Sequence, residues 1–112
     1  MYRVQKTMEV SAAHCLHLDY ESKCSEMHGH NWRITIHCKC DDDQLNSNGM
    51  VIDFTEIKRI VNRLDHTIIN DIVPQPTAEN IARYLQEEIP HCFKVEVEET
   101  EGNKAVYEPD VN

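Results

Sequence analysis

An α+β fold in the order β-β-α-α-β-β is predicted, and three observations predict it. Residues 31–40 alternate cleanly, with Trp32, Ile34, Ile36, Cys38 and Cys40 on one face and Asn31, Arg33, Thr35, His37 and Lys39 on the other. That is the period of a strand half-buried in a sheet. Ile57, Ile60, Val61 and Leu64 then recur at i, i+3, i+4 and i+7, the stripe of an amphipathic helix. Finally, Phe93, Val95 and Val97 alternate, Glu101-Gly102-Asn103 turns the chain, and residues 104–108 return as the second arm of a hairpin.

The remaining elements follow in order. Residues 2–10 form a first strand, with Val4, Met8 and Val10 on one parity. Residues 11–30 have small, polar and turn character and read as a long loop, the kind of segment that carries function in a small domain. Asp41-Asp42-Asp43 through Asn48-Gly49 is a polar turn region. Asp53 caps a helix over residues 54–64, with Glu56 three residues on completing a capping box. Pro74 and Pro76 punctuate the next loop, and Thr77 caps a second helix carrying Ile81, Ala82, Leu85 and Ile89, which Pro90 ends. The expectation is one domain over residues 1–112: a four-stranded antiparallel sheet with two helices on one face. Two helices cover one face only. The polar second face of strand 31–40 therefore meets water or another subunit, and an oligomer is expected.

Composition narrows the function. At 112 residues and 13.1 kDa, with 40% apolar residues, the chain supports one modest core. Eleven Lys and Arg against twenty Asp and Glu give a net charge of −9 with no basic run, which argues against nucleic acid or an anionic membrane as partner. No stretch approaches a transmembrane span, and Met1–Lys6 lacks the apolar core of a secretory signal. The five cysteines are an odd number, so a cytoplasmic protein with reduced thiols is expected.

The chemistry concentrates in Cys24-Ser25-Glu26-Met27-His28-Gly29-His30. His28 and His30 are two apart, so an extended backbone puts both imidazoles on the face of Trp32 and Ile34. His14 follows the first strand. Pairing of the two strands would bring it to His28 and His30. Three neutral imidazoles suit zinc and leave a fourth position open, the catalytic pattern; the bland alternative is a set of packed or solvated histidines. Cys24, beside Lys23, is either a thiolate base or an incidental loop cysteine. Asp65-His66 is an acid–base candidate that, taken alone, reads as a charged helix end. Cys38 and Cys40 fall on the apolar face, where a thiol behaves as a small hydrophobe.

Together these pieces resemble one family. Val10-Ser11-Ala12-Ala13-His14, Cys24-x-x-x-His28-Gly29-His30-Asn31-Trp32, Met50-Val51-x-Asp53-Phe54, Leu64-Asp65-His66 with Asn70-Asp71, Pro76-Thr77-x-Glu79-Asn80-Ile81-Ala82 and a terminal Glu108 are similar, in order, to the 6-pyruvoyltetrahydropterin synthase family. Three residues between Cys24 and His28 look like its bacterial 6-carboxy-5,6,7,8-tetrahydropterin synthase branch, which serves queuosine biosynthesis.

The resemblance implies a tunnelling fold (T-fold), a homohexamer and active sites at subunit interfaces. It implies zinc (Zn2+) on His14, His28 and His30, Cys24 as general base, and Asp65 with His66 as proton relay. Glu108 would anchor the amino-pyrimidine edge of the pterin, with Thr77 and Glu79 nearby. The implied reaction converts 7,8-dihydroneopterin triphosphate to 6-carboxy-5,6,7,8-tetrahydropterin, acetaldehyde and triphosphate. The alternatives are 6-pyruvoyltetrahydropterin synthase activity, which keeps the carbon skeleton, and a non-catalytic zinc- or pterin-binding module. Ala78 and Trp32 depart from the family's usual Thr and Tyr.

Overall fold

A computed structural model describes residues 1–110. Strands β1 (Tyr2–His14), β2 (His28–Cys40), β3 (Cys92–Thr100) and β4 (Asn103–Tyr107) form one antiparallel sheet in the order β1-β2-β3-β4. Helices α1 (Phe54–Val61) and α2 (Ala78–Glu88) lie between β2 and β3 in the chain. The element order and class are those expected from the sequence.

The period-2 pattern of β2 fixes which face is buried. Trp32, Ile34 and Ile36, with Val10 of β1 and Val95 and Val97 of β3, pack against Ile57, Ile60 and Val61 of α1 and Ile81, Ala82 and Leu85 of α2. A register slip of one residue would turn this whole set to solvent, so the alternation pins the pairing. On the other face Glu9, Asn31 and Arg33 are exposed, and Thr7 and Thr35 share a cross-strand hydrogen bond of 2.9 Å.

Three sequence expectations need correction. The segment read as a loop over residues 11–30 is a loop only over 15–27, because β1 and β2 extend to meet at His14 opposite His28. Ser11, Ala12 and Ala13 carry little strand propensity of their own. They are held from outside: the Trp32 indole N–H donates to the Ala12 carbonyl (3.1 Å), and the Ala13 N–H donates to the Thr67 carbonyl (3.0 Å). The capping box does not form. Asp53 accepts the Thr55 N–H (2.8 Å) as foreseen, but Glu56 pairs forward with Arg59 at 2.6 Å, where an opposite charge outcompetes a neutral backbone donor. The helix then tightens into a 3-10 turn over Asn62–Leu64. Lastly, Phe93 does not share the face of Val95. A register shift at His37/Cys38 puts Cys92 in the core and turns Phe93 outward, under the cations of Arg3 and Lys39.

Only the end of β1 near the histidines is covered at its outer edge. Residues 65–68 run beside Ser11–Ala13, where Ser11 N–H donates to Asp65 (2.8 Å) and His66 N–H donates to the Ser11 carbonyl (2.6 Å). Among the described residues, the rest of the β1 edge and the outer edge of β4 carry no strand partner.

Candidate metal centre

Antiparallel pairing builds the site directly. His14 is paired with His28, and Ala12 with His30, so His14, His28 and His30 project from two adjacent strands onto one face. That face is closed beneath by Trp32, whose ring meets His14 and His30 edge-on at centroid distances of 4.8 and 5.2 Å. The ring is fully buried and its N–H is satisfied, so the platform under the histidines is rigid.

Hydrogen bonding settles which ring nitrogens face inward. His14 Nδ1 lies 2.7 Å from the Pro76 carbonyl, and His28 Nδ1 lies 2.7 Å from the Glu26 carbonyl. A carbonyl only accepts, so each Nδ1 carries its proton and each Nε2 presents a lone pair. Those two Nε2 atoms face one another at 3.0 Å. Two lone pairs at that distance repel, and a cation between them would relieve the repulsion. Nδ1–H donated to a carbonyl with Nε2 turned inward is also how a protein orients metal-binding histidines.

The third imidazole adds to the demand. His30 Nε2 is buried and lacks a hydrogen bond, although Glu99 Oε1 stands 3.0 Å away. The charge contact is close, but its angle does not suit a hydrogen bond. Ligand atoms of His14, His28, His30 and Glu99 all lie within 4.8 Å of one another. The three histidine nitrogens, two oriented and one buried and unpartnered, fit a divalent transition metal such as zinc, with the Glu99 carboxylate standing beside them.

Burial is the first cause that lowers the proton affinity of His14 below its ordinary value, against an opposing contribution from the Pro76 carbonyl. Burial likewise lowers His30, with Glu99 opposing. Both shifts favour the neutral form that metals require.

The other expected residues are distributed around this centre. Cys24 sits on a 3-10 turn (Lys23–Ser25) folded against the end of β1, where its carbonyl accepts the Leu16 N–H (2.8 Å). Its sulfur lies outside the four-residue cluster. Thr77 caps α2 by accepting the Asn80 N–H (3.1 Å), immediately after the carbonyl that holds His14. Thr77 and Glu79 line a cleft of about 560 Å³ with Leu16, Glu99, Asn103 and Lys104.

Asp65 and His66 form a close pair, Nδ1 to Oδ2 2.9 Å, on the outer edge of β1. The Ser11 N–H is the main cause holding the Asp65 carboxyl below its usual range, with His66 adding to it. His66 has a left-handed backbone (φ 57°), and its side chain is 82% exposed, so no other part of the described chain shields it.

Glu108 stands apart from the centre. It follows Tyr107, which pairs with Val95, so it lies toward the start of β3, whereas Glu99 lies near that strand's opposite end. Sequence reasoning missed Glu99. Its signal was parity: Val95, Val97 and Glu99 share a face, and a carboxylate on an otherwise apolar face calls for a reason.

A four-stranded sheet backed by two helices, with three histidines and a carboxylate gathered at one end of its covered face, defines a small α+β protein with a metal-type site whose carboxylate also lines a cleft. The sequence profile of the 6-pyruvoyl tetrahydropterin synthase family matches residues 3–110, and the chain belongs to that family.

A 6-carboxy-5,6,7,8-tetrahydropterin synthase of Bacillus subtilis is 29% identical over 127 aligned residues, covering 96% of this chain and 86% of that one. A Pyrococcus horikoshii relative is 39% identical over 67 residues. That match covers 60% of this chain and 41% of the relative, so the alignment spans less than half of its length. Among solved structures, Caenorhabditis elegans 6-pyruvoyl tetrahydropterin synthase superposes with a TM-score of 0.75 at 25% identity, covering 97% of this chain and 96% of that one.

The lowered His14 and His30 give a pH prediction for the metal-free protein. Their folded-state proton affinities lie below the ordinary histidine value of 6.5, so the unfolded chain binds more protons as the solution acidifies. Stability is fully present above about 6.5 and falls as pH drops below it. Thermal melts in chelator from pH 8 to pH 5 check this. A melting temperature that rises over the acidic half would contradict it.

Proposed function

We propose that the chain is a zinc-dependent lyase that converts 7,8-dihydroneopterin triphosphate, with water, to 6-carboxy-5,6,7,8-tetrahydropterin, acetaldehyde and triphosphate. The pathway would be queuosine (7-deazapurine) biosynthesis, in the cytoplasm. The observation that carries the reading is the pair of opposed His14 and His28 lone pairs beside the unpartnered His30 nitrogen and the Glu99 carboxylate, which also lines a cleft. The name of the B. subtilis relative supports the product assignment.

His14, His28 and His30 would hold the zinc. Bound there, it would supply a Lewis acid for side-chain oxygens of the substrate, acidifying the neighbouring C–H and O–H groups. Cys24 takes a proton from the side chain as general base. His66 returns one: Asp65 Oδ2 lies 2.9 Å from its Nδ1, and Nε2 is left to carry the proton. Glu99 takes the anchoring role that the family resemblance implies for Glu108, because its carboxylate lines the cleft with Thr77 and Glu79. A carboxylate suits the amino-pyrimidine edge of a pterin, whose adjacent N–H groups donate to both oxygens.

The exposed Asp65–His66 pair, the partnerless edges of β1 and β4, and the polar outer face support assembly of several copies. We assign the assembly as a homohexamer in which His66 of one copy serves the cleft of another. The net charge of −9 with no basic run argues against nucleic acid or an anionic membrane as partner. No helix among the described residues is long and apolar enough to cross a bilayer.

Mass spectrometry of products after anaerobic incubation of zinc-loaded protein with 7,8-dihydroneopterin triphosphate tests the reaction. The 6-carboxytetrahydropterin mass with acetaldehyde is expected. A 6-pyruvoyl product would move the chain to the activity in the family's name. Unchanged substrate with zinc bound would make it a binding module.

The same assay separates the two carboxylates. Glu99→Gln should raise KM at least tenfold, a loss of about 1.4 kcal/mol or more, while Glu108→Gln should stay within about twofold of the parent, as exposed positions usually do. The reverse ranking would return the anchor to Glu108.

A further inference from the structure

Three of the five cysteines, Cys38, Cys40 and Cys92, are buried and serve no step of the proposed reaction. Cys38 and Cys92 stand directly opposite one another across β2 and β3, at the register shift between His37 and Cys38. Directly paired residues in antiparallel strands hold their Cα atoms about 4.5–5.5 Å apart. That falls inside the range of about 4.4–6.8 Å that a disulfide spans. Both side chains turn into the core. The Pro90 and Lys94 carbonyls flank them, 3.6 Å from the Cys38 sulfur and 3.5 Å from the Cys92 sulfur. Cys40 shares the face but lies beyond the last β2–β3 pair. The metal-type site is remote: Cys38 is ten residues along β2 from His28, about 33 Å of extended strand.

We propose that Cys38 and Cys92 are a disulfide-forming pair, closed by a low-molecular-weight disulfide and reopened by thiols. The two thiols are not equivalent. Contact with Cys92, followed by burial, pushes the Cys38 thiol far up, so it keeps its proton. Cys92 is lowered, first by the facing Cys38 thiol and then by the Lys94 and His37 backbone, and it ionises first. Cys92 also follows the exposed Pro90 and His91, so it is the sulfur nearer the surface.

The Cys92 thiolate attacks one sulfur of the oxidant R–S–S–R. The oxidant's S–S bond breaks and one thiolate leaves. Cys38 then gives up its proton and attacks the Cys92 sulfur, and the second thiolate leaves. Two protein thiols are oxidised by two electrons, the oxidant becomes two thiols, and the two protons end on those leaving groups.

The test is to incubate the native, metal-loaded chain with oxidised glutathione, alkylate in denaturant, digest, and map the peptides by mass spectrometry. A cross-linked peptide joining Cys38 to Cys92, reversed by dithiothreitol, is expected. Cys40→Ala should retain the cross-link. Cys38→Ala and Cys92→Ala should each abolish it and leave the other thiol free or capped by glutathione. The wild-type map stands even if a variant fails to fold. Full alkylation of Cys38 and Cys92 after prolonged exposure, with or without adducts on Cys15 or Cys24, would overturn the proposal. So would a bridge that uses Cys40.

Discussion

The site depends on the pairing of β1 with β2, which runs over thirteen residues and ends with His14 opposite His28. That register carries the apolar face of Trp32, Ile34 and Ile36 into the core, and the same parity carries three imidazoles to the end of that face. Alternation that fills the core thus also aims the ligands, and neither could shift by one residue without the other. The Pro76 and Glu26 carbonyls then force both Nε2 lone pairs toward one point. Unprotonated and unmetallated, the centre would hold two facing acceptors at 3.0 Å. A cation relieves that repulsion, and the neutral state that burial favours is the state that binds it.

The rigid and the exposed parts of the machinery are divided. The histidines rest on Trp32 and on the loop that begins α2, and Glu99 comes from β3, so four potential ligands are fixed by two neighbouring strands of the sheet and by a third. Cys24 and the Asp65–His66 pair sit on connecting segments, and His66 faces solvent. The ion pair within Asp65–His66 is surface-exposed and adds little stability. Its value is orientation: the carboxylate fixes the tautomer of a ring that has nothing else to hold it.

Much of this was legible in the sequence, and for physical reasons. Period-2 alternation in 31–40, helical spacing in 57–64 and the Thr77 cap are local signals, and local signals survive in a one-dimensional reading. The histidine cluster was legible because parity on a strand is a geometric statement. What failed was decided by tertiary contact. Ser11–Ala13 became strand because the Trp32 indole and the 65–68 segment hold it on two sides. Phe93 left its predicted face because a bulge displaced it. Glu56 is the local exception: it pairs with Arg59 one turn on in the same helix instead of capping. Glu99 was hidden because its importance comes from the neighbour across the sheet, His30, and Glu108 was named only through the family resemblance.

The most direct measurement of the central claim is X-ray absorption at the zinc edge on purified, zinc-loaded protein, with metal content determined on the same sample. One zinc per chain with a first shell of nitrogen and oxygen at about 2.0–2.2 Å, and no sulfur at about 2.3 Å, is the predicted result. A sulfur shell, or protein that retains no metal after removal of excess, would contradict a centre built on His14, His28 and His30.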